Sequence, residues 1–398
     1  MCRAGYALLM LGTAPAVFAM ANVQTAIGFI LCRFFIGFGL ATFVACQFWS
    51  SVMFTPKIVG IANATSGGWG NLGGGVTQFL IPAVYAGIVT STEPFSAWRW
   101  AFFVPGCMHI GIGLICLFLA QDLPDGQYAE LKKKGLMQQP NGMASLKQGL
   151  LNYRMWCLMA SYGMCFGVEL TMNNVVVGYF FDQFDMPLTT AGLLGSLFGM
   201  MNLFARSLGG FLSDFAAKRY GMRGRLWALW IVQTVEGGLC ILMGFAKDSL
   251  PLTLVIMILF STCVQAAEGA SYGVVPFVSK RSLGVVSGFV GAGGNAGSAI
   301  TQVLFFKSGN NTVAEAIQLM GVMIICVTLV INFIHFPMWG GMWFPADGKT
   351  TEEDYYAGNT YTEEEKAAGM ADAALKFSAN ARKTESAPES RPVEPNEV

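Results

Sequence analysis

Ten apolar runs fill most of the sequence from residue 4 to residue 336. A helix needs about 20 apolar residues to cross the hydrocarbon core of a bilayer. Only 12% of the 398 residues are charged, about half the share of an average soluble domain. A soluble cytosolic enzyme is therefore excluded, and we predict an all-α membrane protein with about ten transmembrane helices. The predicted spans are residues 4–22, 25–49, 58–89, 98–120, 155–181, 187–216, 225–246, 250–276, 282–306 and 313–336.

The formal net charge is zero, but it is the sum of two unlike regions. Residues 1–337 carry 18 Lys and Arg against 12 Asp and Glu, whereas residues 338–398 carry 6 against 12. One alternating set of loops holds twelve Lys and Arg, and the other holds only Arg99, Lys247 and Lys307. The positive-inside rule places the first set, both termini and the acidic tail in the cytoplasm. We predict that the tail, residues 338–398, is disordered and that the protein has no nucleic-acid partner.

Other residue types argue against further classes of protein. Nearly all of the ten cysteines lie within predicted spans, without the spacing of a disulfide framework. His109 and His335 are isolated from other ligand-type residues, so we expect no metal. The sequence contains no nucleophile triad or cofactor loop, so we expect neither an enzyme nor a cofactor. Asn310-Asn311-Thr312 is a glycosylation sequon on a predicted external loop.

An internal repeat is the strongest pattern in the sequence. The residues Gly70-Asn71-Leu72-Gly73-Gly74-Gly75-Val76-Thr77-Gln78 recur 224 positions later as Gly294-Asn295-Ala296-Gly297-Ser298-Ala299-Ile300-Thr301-Gln302. A basic residue, Lys57 or Arg281, precedes each asparagine by 14 positions. Parallel repeats of this kind build many transporters, whose substrate site lies at the midplane between the halves.

The position of the repeat also predicts the domain organisation. Four spans precede the central loop, with the repeat in the third, and six follow it, with the repeat in the fifth. If the halves match, two N-terminal helices are missing from this sequence. The expected units are an N-terminal half (1–120), a central cytoplasmic loop (121–154), a C-terminal half (155–337) and the tail (338–398).

The two Gly-Asn-x-Gly segments resemble the paired signatures of the nitrate/nitrite porter family of the major facilitator superfamily. The segment Arg33-Phe-Phe-Ile-Gly37-Phe-Gly39 is similar to the superfamily's fourth-helix motif, although it lies here in the second span. Gly210-Phe-Leu-Ser-Asp214 is similar to the loop motif after the eighth helix, here the sixth span. Both offsets equal two helices. The run Gln121-Asp122-Leu123-Pro124-Asp125-Gly126 and the polar tail are similar to the plant and algal branch. The resemblance implies a fold of two pseudo-symmetric helical halves.

Arg206 is a candidate anion-binding residue because it lies in the middle of a predicted span. A charge there costs at least about 2.5 kcal/mol on insertion scales, so it should face a cavity or a partner. A guanidinium donates two parallel hydrogen bonds and suits planar oxyanions. The alternative is a structural ion pair with an intramembrane acid such as Glu169 or Glu236. The resemblance implies that Arg206 binds nitrate, and that its first-half counterpart would lie in a helix that this sequence lacks.

Tyr162, Phe166, Glu169 and Asn173 follow helical spacing and share one face of the span 155–181. The resemblance implies that Tyr162 and Phe166 pack against nitrate, and core packing is the alternative. A buried carboxylate can carry the proton of a symporter, so Glu169 is the candidate for proton coupling. Neutralisation by an arginine is the alternative for Glu169.

The repeated residues suggest further roles along the substrate pathway. Asn71 and Asn295 are candidate substrate ligands, because close helix packing alone does not explain the same asparagine at both repeats. Arg33 is a structural or gating candidate, and Asp214 with Lys218 and Arg219 is a candidate cytoplasmic gate. We expect packing or gating roles for Gly70, Gly73, Gly74, Gly294, Gly297, Gln78 and Gln302.

The sequence thus predicts a nitrate transporter, with nitrite as a second substrate, that works by alternating access and is coupled to protons. The alternatives are a truncated, non-transporting member that acts as a sensor or assembly partner, and a facilitator for another small solute. The resemblance implies a location in the plasma membrane and a single-span accessory protein as partner.

Overall fold

The computed structural model describes residues 2–55, 58–123, 126–133, 142–307, 311–358 and 361–367. Among them, nine helical segments are long and apolar enough to cross a membrane, so the all-α membrane class is confirmed. Lys57 and Asn310, which figure in the sequence analysis, lie outside the described residues. The helices are α1 (Cys2–Ala19), α2 (Ala26–Gly37), α3 (Ala41–Met53), α4 (Val59–Val89), α5 (Pro94–Ala101), α6 (Phe103–Leu119), α7 (Tyr128–Lys133), α8 (Gly142–Leu151), α9 (Tyr153–Gly163), α10 (Phe166–Phe184), α11 (Leu188–Met200), α12 (Ala205–Tyr220), α13 (Met222–Phe245), α14 (Leu250–Tyr272), α15 (Leu283–Thr301), α16 (Val313–Thr328) and α17 (Glu363–Ala367). The strands are β1 (His335–Phe336) and β2 (Gly340–Gly341).

The predicted span 187–216 folds as two helices and is the tenth segment. A 3-10 turn, Met201–Leu203, and Phe204 separate α11 from α12, and neither helix reaches the length of a continuous span. The Asn202 side chain donates a hydrogen bond back to the Gly199 carbonyl at 3.3 Å. The break therefore turns two polar residues, Asn202 and Arg206, towards the centre of the molecule, where both are fully buried.

The two large apolar cores lie almost entirely in the second half of the chain. Nearly all of their members come from residues 155–342. Helices α13 and α16 approach closely where Gly237 faces Gly321, since a Cβ at Gly237 would lie 3.0 Å from the Gly321 carbonyl oxygen. Small residues allow this close approach in membrane helices. The second half is thus a tightly packed bundle.

The first half is packed more openly. In the described structure no residue of α2 is buried, and α3 buries only Gln47, Ser50 and Ser51. By contrast, α9 and α10 together bury 15 of their 30 residues. An apolar cavity of about 880 Å³ lies among α1, α2, α4 and α6. Arg33 lies at its wall and has no hydrogen-bond or ion-pair partner within the described ranges. Four of the nine spans precede residue 120 and five follow it. The broken segment Leu188–Tyr220 brings the second group to six.

The prediction that the chain is disordered from residue 338 onward is wrong for residues 338–358 and 361–367. The hydroxyls of Tyr355 and Tyr356 donate hydrogen bonds to the carbonyls of Val278 and Phe277, both at 2.8 Å. The aromatic residues of this segment bury apolar surface on the bundle, which the acidic composition did not indicate. Residues 368–398 lie outside the described part of the chain. This packing holds the start of the tail against the end of the bundle that carries Arg154, Arg223 and Arg281, here called the basic end.

The tail is further held by an ion pair between Glu365 and Arg281. Two parallel hydrogen bonds join the groups, Nη1 to Oε2 at 2.8 Å and Nη2 to Oε1 at 2.7 Å. A backbone hydrogen bond from Thr362, and after it Arg281, lower the pKa of Glu365. A carboxyl with a lowered pKa stabilises the docked state above its unfolded pKa of about 4.3, and this stabilisation is lost as the pH falls through the lower, folded value.

The variant Glu365→Gln should therefore loosen the tail. Because such pairs contribute about 1 kcal/mol, we expect proteolysis within residues 359–367 to be about fivefold faster than in the wild type at pH 7. The matched control is Glu364→Gln, whose side chain is exposed one position earlier. Equal rates for all three proteins would contradict this role of the ion pair.

Candidate substrate site

Arg206 lies at the start of α12, is fully buried, and is the centre of the site. Its Nη1 forms an ion pair with Glu268 of α14, and its Nη2 donates to the Tyr162 hydroxyl at 2.6 Å. The Nε finds no hydrogen-bond partner among the described residues. The alternative left open from the sequence, an ion pair with an intramembrane acid, is present, but the acid is Glu268 and not Glu169 or Glu236. Spacing along the chain could not select Glu268, because it does not show which helices are neighbours.

The rings of Phe43 and Tyr162 flank the Arg206 guanidinium, and the rings of Phe166 and Tyr272 pack against those two. The Cζ lies 5.2 Å from the ring centroid of Phe43, and Phe43 stacks on Phe166 with centroids 5.7 Å apart and ring planes at 12°. Tyr272 meets Phe43 and Tyr162 edge-on at 5.5 and 5.3 Å. The predicted pair Tyr162 and Phe166 thus lies beside the arginine. Phe43, from the first half, was not predicted, because nothing in its spacing distinguishes it from the other apolar residues of its span.

Two carboxyl groups lie beside the arginine. Glu169 accepts hydrogen bonds from Asn202 at 2.6 Å and from Asn71 at 3.3 Å. The Asn71 Nδ2 lies 3.5 Å from Glu268 Oε2 as well, so one amide of the first half bridges both carboxyl groups of the second. The site therefore joins α4, α10, α12 and α14 in one polar cluster across the interface of the halves.

Glu236 of α13 is fully buried but separate from this cluster. Neither of its carboxyl oxygens has a hydrogen-bond partner in the described part of the chain.

A cavity of about 1010 Å³ opens next to the cluster. Phe43, Phe166, Asn71 and Asn295 line it, together with Gly67. Arg206 itself lies behind this wall: a Cβ at Gly67 would be 2.8 Å from the Arg206 Nε and 2.6 Å from the Gln47 Nε2. The absence of a side chain at Gly67 thus lets the backbone of α4 approach the guanidinium.

The two repeated signatures have different surroundings. Gly294 and Gly297 lie directly against Phe166 and Gly163, where no side chain would fit. Gly70 and Gly73 instead face open space, and Gly74 lies near Asn173.

The repeated polar residues also differ. Asn295 makes only a 3.5 Å contact with the Gly291 carbonyl of its own helix, so the structure does not bring it to the carboxyl groups as it does Asn71. The Gln78 amide donates to the Asn173 carbonyl at 3.2 Å, and Gln302 accepts from the Asn174 side chain at 3.5 Å. The two glutamines therefore contact neighbouring residues of α10.

Asp214 connects the two halves at the basic end. Its carboxylate accepts a hydrogen bond from the Ile61 backbone N–H at 2.8 Å, in the first turn of α4, and pairs with Arg225 at 2.6 Å. A negative charge at a helix N-terminus is stabilising. The predicted partners Lys218 and Arg219 are exposed instead, and Arg219 lies over the Phe215 ring. Arg33 is far from this contact, at the wall of the 880 Å³ cavity.

The two histidines are apart from the site. His109 Nδ1 lies 3.2 Å from the Thr13 hydroxyl, and His335 Nε2 lies 3.0 Å from the Pro345 carbonyl. Across the described ranges, no cluster of three or more His, Cys, Asp or Glu could hold a metal ion.

Solved structures share this architecture. A bacterial homologue of the iron transporter ferroportin is 12% identical with a TM-score of 0.57, and the match covers 83% of this chain and 82% of that one. The E. coli fucose:proton symporter FucP is 14% identical with a TM-score of 0.56, covering 83% of both chains. Residues 2–302 match the Major Facilitator Superfamily. The helical bundle with its buried polar cluster is therefore a membrane transporter of that superfamily.

Curated relatives narrow the family further. "High affinity nitrate transporter 2.5" of Arabidopsis thaliana is 49% identical over 377 residues, covering 94% of this chain and 75% of that protein. "Nitrate transporter 2.1" of Chlamydomonas reinhardtii is 48% identical over 404 residues, covering all of this chain and 74% of that protein. The chain belongs to the nitrate/nitrite porter family of the superfamily. These relatives are transporters, in agreement with the expectation that this chain is not an enzyme.

Proposed function

We propose that this protein carries nitrate, with nitrite as a second substrate, across the membrane by alternating access. The observation that carries the proposal is a buried guanidinium surrounded by aromatic rings at the interface of the two halves. Nitrate is flat, weakly hydrated and singly charged. A guanidinium fork binds two of its oxygens, and aromatic faces pack against its plane. The names of the curated relatives support the same substrate.

Substrate binding at Arg206 requires a change in its present contacts. The guanidinium is held by Glu268 and Tyr162 and is separated from the 1010 Å³ cavity by Phe43 and Gly67. An anion that arrives through the cavity past Asn71 and Phe166 would replace Glu268 as the partner of Arg206. Asn295, which lines the same cavity, is proposed as a ligand along the entry path.

We propose proton coupling through Glu169. Its carboxyl is nearly fully buried and is oriented by Asn71 and Asn202, next to the arginine that binds substrate. A proton on a buried carboxyl removes a charge whose burial is costly, so proton movement and anion movement through the same site are physically linked.

The gate at the basic end is proposed to include Asp214. Its hydrogen bond to the start of α4 joins the halves where the inner gate of an importer must open. Its ion pair with Arg225 of α13 holds the carboxylate in that position. Lys218 and Arg219 are close enough along α12 to take part in another state of the cycle. Arg33 is proposed to act in helix packing on the outer side.

Loop charges support an orientation in the plasma membrane with the tail in the cytoplasm. The resemblance extends the proposal to a single-span accessory protein. An epitope at the C-terminus should be accessible to antibody only after the plasma membrane is permeabilised.

The need for the accessory protein is tested by comparing nitrate uptake by the chain alone with uptake by the chain reconstituted together with that protein.

Transport by the purified chain in lipid vesicles tests the function. We expect uptake of labelled nitrate that unlabelled nitrate abolishes and that glucose leaves unchanged. Inhibition by sugars would favour a facilitator for another solute. The non-transporting alternative is not favoured, because the relatives are named as transporters. That alternative predicts that the vesicles take up no nitrate.

A further inference from the structure

The Glu169–Glu268 pair has a property that the function above does not use. One Asn71 amide lies within hydrogen-bond distance of both carboxyl groups, 3.3 Å from Glu169 Oε2 and 3.5 Å from Glu268 Oε2. Arg206 is the cationic side chain paired with this cluster, so two ionised carboxylates would leave an excess negative charge buried. A single proton on the pair removes that excess charge.

The charge of the cluster follows from that proton. Arg206 supplies one positive charge, and the singly protonated pair supplies one negative charge, so the cluster is neutral. Neutrality is favoured because the charged members of the cluster, Arg206, Glu169 and Glu268, are nearly or fully buried. The groups that face Glu268 are Arg206 of α12, Glu169 of α10, Tyr162 of α9, Cys165 between α9 and α10, Tyr272 of α14, Glu236 of α13 and Asn71 of α4.

An anion that binds Arg206 adds a negative charge to this neutral cluster. The carboxylate that it displaces from the guanidinium is then buried without a positive partner, which costs several kcal/mol. Uptake of one further proton by the pair removes that charge and restores neutrality. The proton comes from water in the adjoining cavity, and no other reactant is needed.

We propose that Glu268 and Glu169 together form a two-proton site, holding one proton while Glu268 neutralises Arg206 and two protons while an anion occupies Arg206. This inference rests on the proposed function. The coupling proton is then shared by the two carboxyl groups, and Glu268 is the one that leaves the arginine. Glu169 alone does not account for coupling.

Nitrate binding to the purified full chain at several pH values tests the proposal. Because nitrate binding takes up one proton, the nitrate Kd of the wild type should increase as the pH increases. The increase should approach tenfold per pH unit over the pH range in which the pair loses its second proton. Glu268→Gln and Glu169→Gln each leave one carboxyl that can be ionised without substrate and protonated with it. Each single variant should therefore retain a pH-dependent Kd, shifted along the pH axis.

The double variant Glu169→Gln/Glu268→Gln should bind nitrate with a Kd that is independent of pH and should exchange nitrate without driving uphill uptake. Glu236→Gln removes a buried carboxyl that faces Glu268 but, in the described structure, makes no hydrogen bond to the pair, so this matched control should keep the wild-type slope even if the curve shifts along the pH axis. A pH-dependent Kd in the double variant, or a slope abolished by one single variant alone, would overturn the shared site. A wild type that binds nitrate equally at every pH would also overturn it, whereas a wild type that binds no nitrate contradicts the proposed function instead.

Discussion

Replacing Arg206 with lysine should reduce nitrate uptake at low nitrate concentration by about 30-fold or more. Lysine keeps the positive charge but cannot donate two parallel hydrogen bonds in one plane. It also loses either the contact to Tyr162 or the contact to the anion, because a single ammonium replaces two guanidinium nitrogens. The loss of one hydrogen bond to a charged group costs about 2 kcal/mol, which corresponds to the stated factor.

The matched control is Arg223→Lys, the same change at the basic end, where the guanidinium donates to the carbonyls of Gly341 and Phe344 and, among the described residues, contacts no member of the site. Its uptake should equal that of the wild type. The measurement is initial uptake of labelled nitrate by vesicles that contain equal amounts of each folded protein. Equal uptake by the Arg206→Lys and Arg223→Lys variants would show that Arg206 is a structural residue and not a substrate ligand.

Adding a single methyl group at Gly67 should lower nitrate uptake by about tenfold or more. In Gly67→Ala the new Cβ would lie 2.6 Å from the Gln47 Nε2 and 2.8 Å from the Arg206 Nε. An exposed side chain would move aside, but this guanidinium is buried and held by Glu268 and Tyr162. The methyl group therefore displaces α4 or the arginine, and overpacking of this kind costs about 1–3 kcal/mol.

Gly87→Ala is the control for this change, because it lies on the same helix and has open space around the new methyl group. We expect its uptake to be within about twofold of the wild type, since such a site offers nothing to overpack. Both proteins should be monodisperse in detergent. Normal uptake by a well-folded Gly67→Ala variant would mean that the close approach of α4 to Arg206 has no part in transport.

The sequence predicts the fold class and the family because both depend on local patterns. The apolar runs and the repeated Gly-Asn-x-Gly segments are readable along the chain, and the predicted family and superfamily fold are confirmed. Helical spacing also places Tyr162, Phe166 and Glu169 on one face of a predicted span, which the structure divides into α9 and α10. Tyr162 contacts Arg206, Phe166 packs on Tyr162, and Glu169 binds Asn202 and Asn71 beside them. These features need no knowledge of which helices are neighbours.

The remaining parts of the site depend on tertiary contacts. Phe43 comes from a uniformly apolar span, and Glu268 comes from a helix 62 residues beyond Arg206, so no spacing rule connects either of them to the arginine. The repeat predicts equal roles for Asn71 and Asn295, but only Asn71 reaches the carboxyl groups, because the broken α11–α12 segment lies on its side of the interface. The packed start of the tail was missed for a similar reason, since its aromatic residues contact carbonyls far away in the sequence.

Equilibrium binding of labelled nitrate to the detergent-solubilised chain is the most direct test of the central claim, which is that Arg206 within its aromatic surround is the nitrate site. We predict saturable binding that unlabelled nitrate displaces. Arg206→Lys should weaken it by about 30-fold or more, the cost of one lost charged hydrogen bond, and Arg223→Lys should leave it unchanged. Nitrate affinity that is the same in the wild type and in Arg206→Lys would contradict this claim.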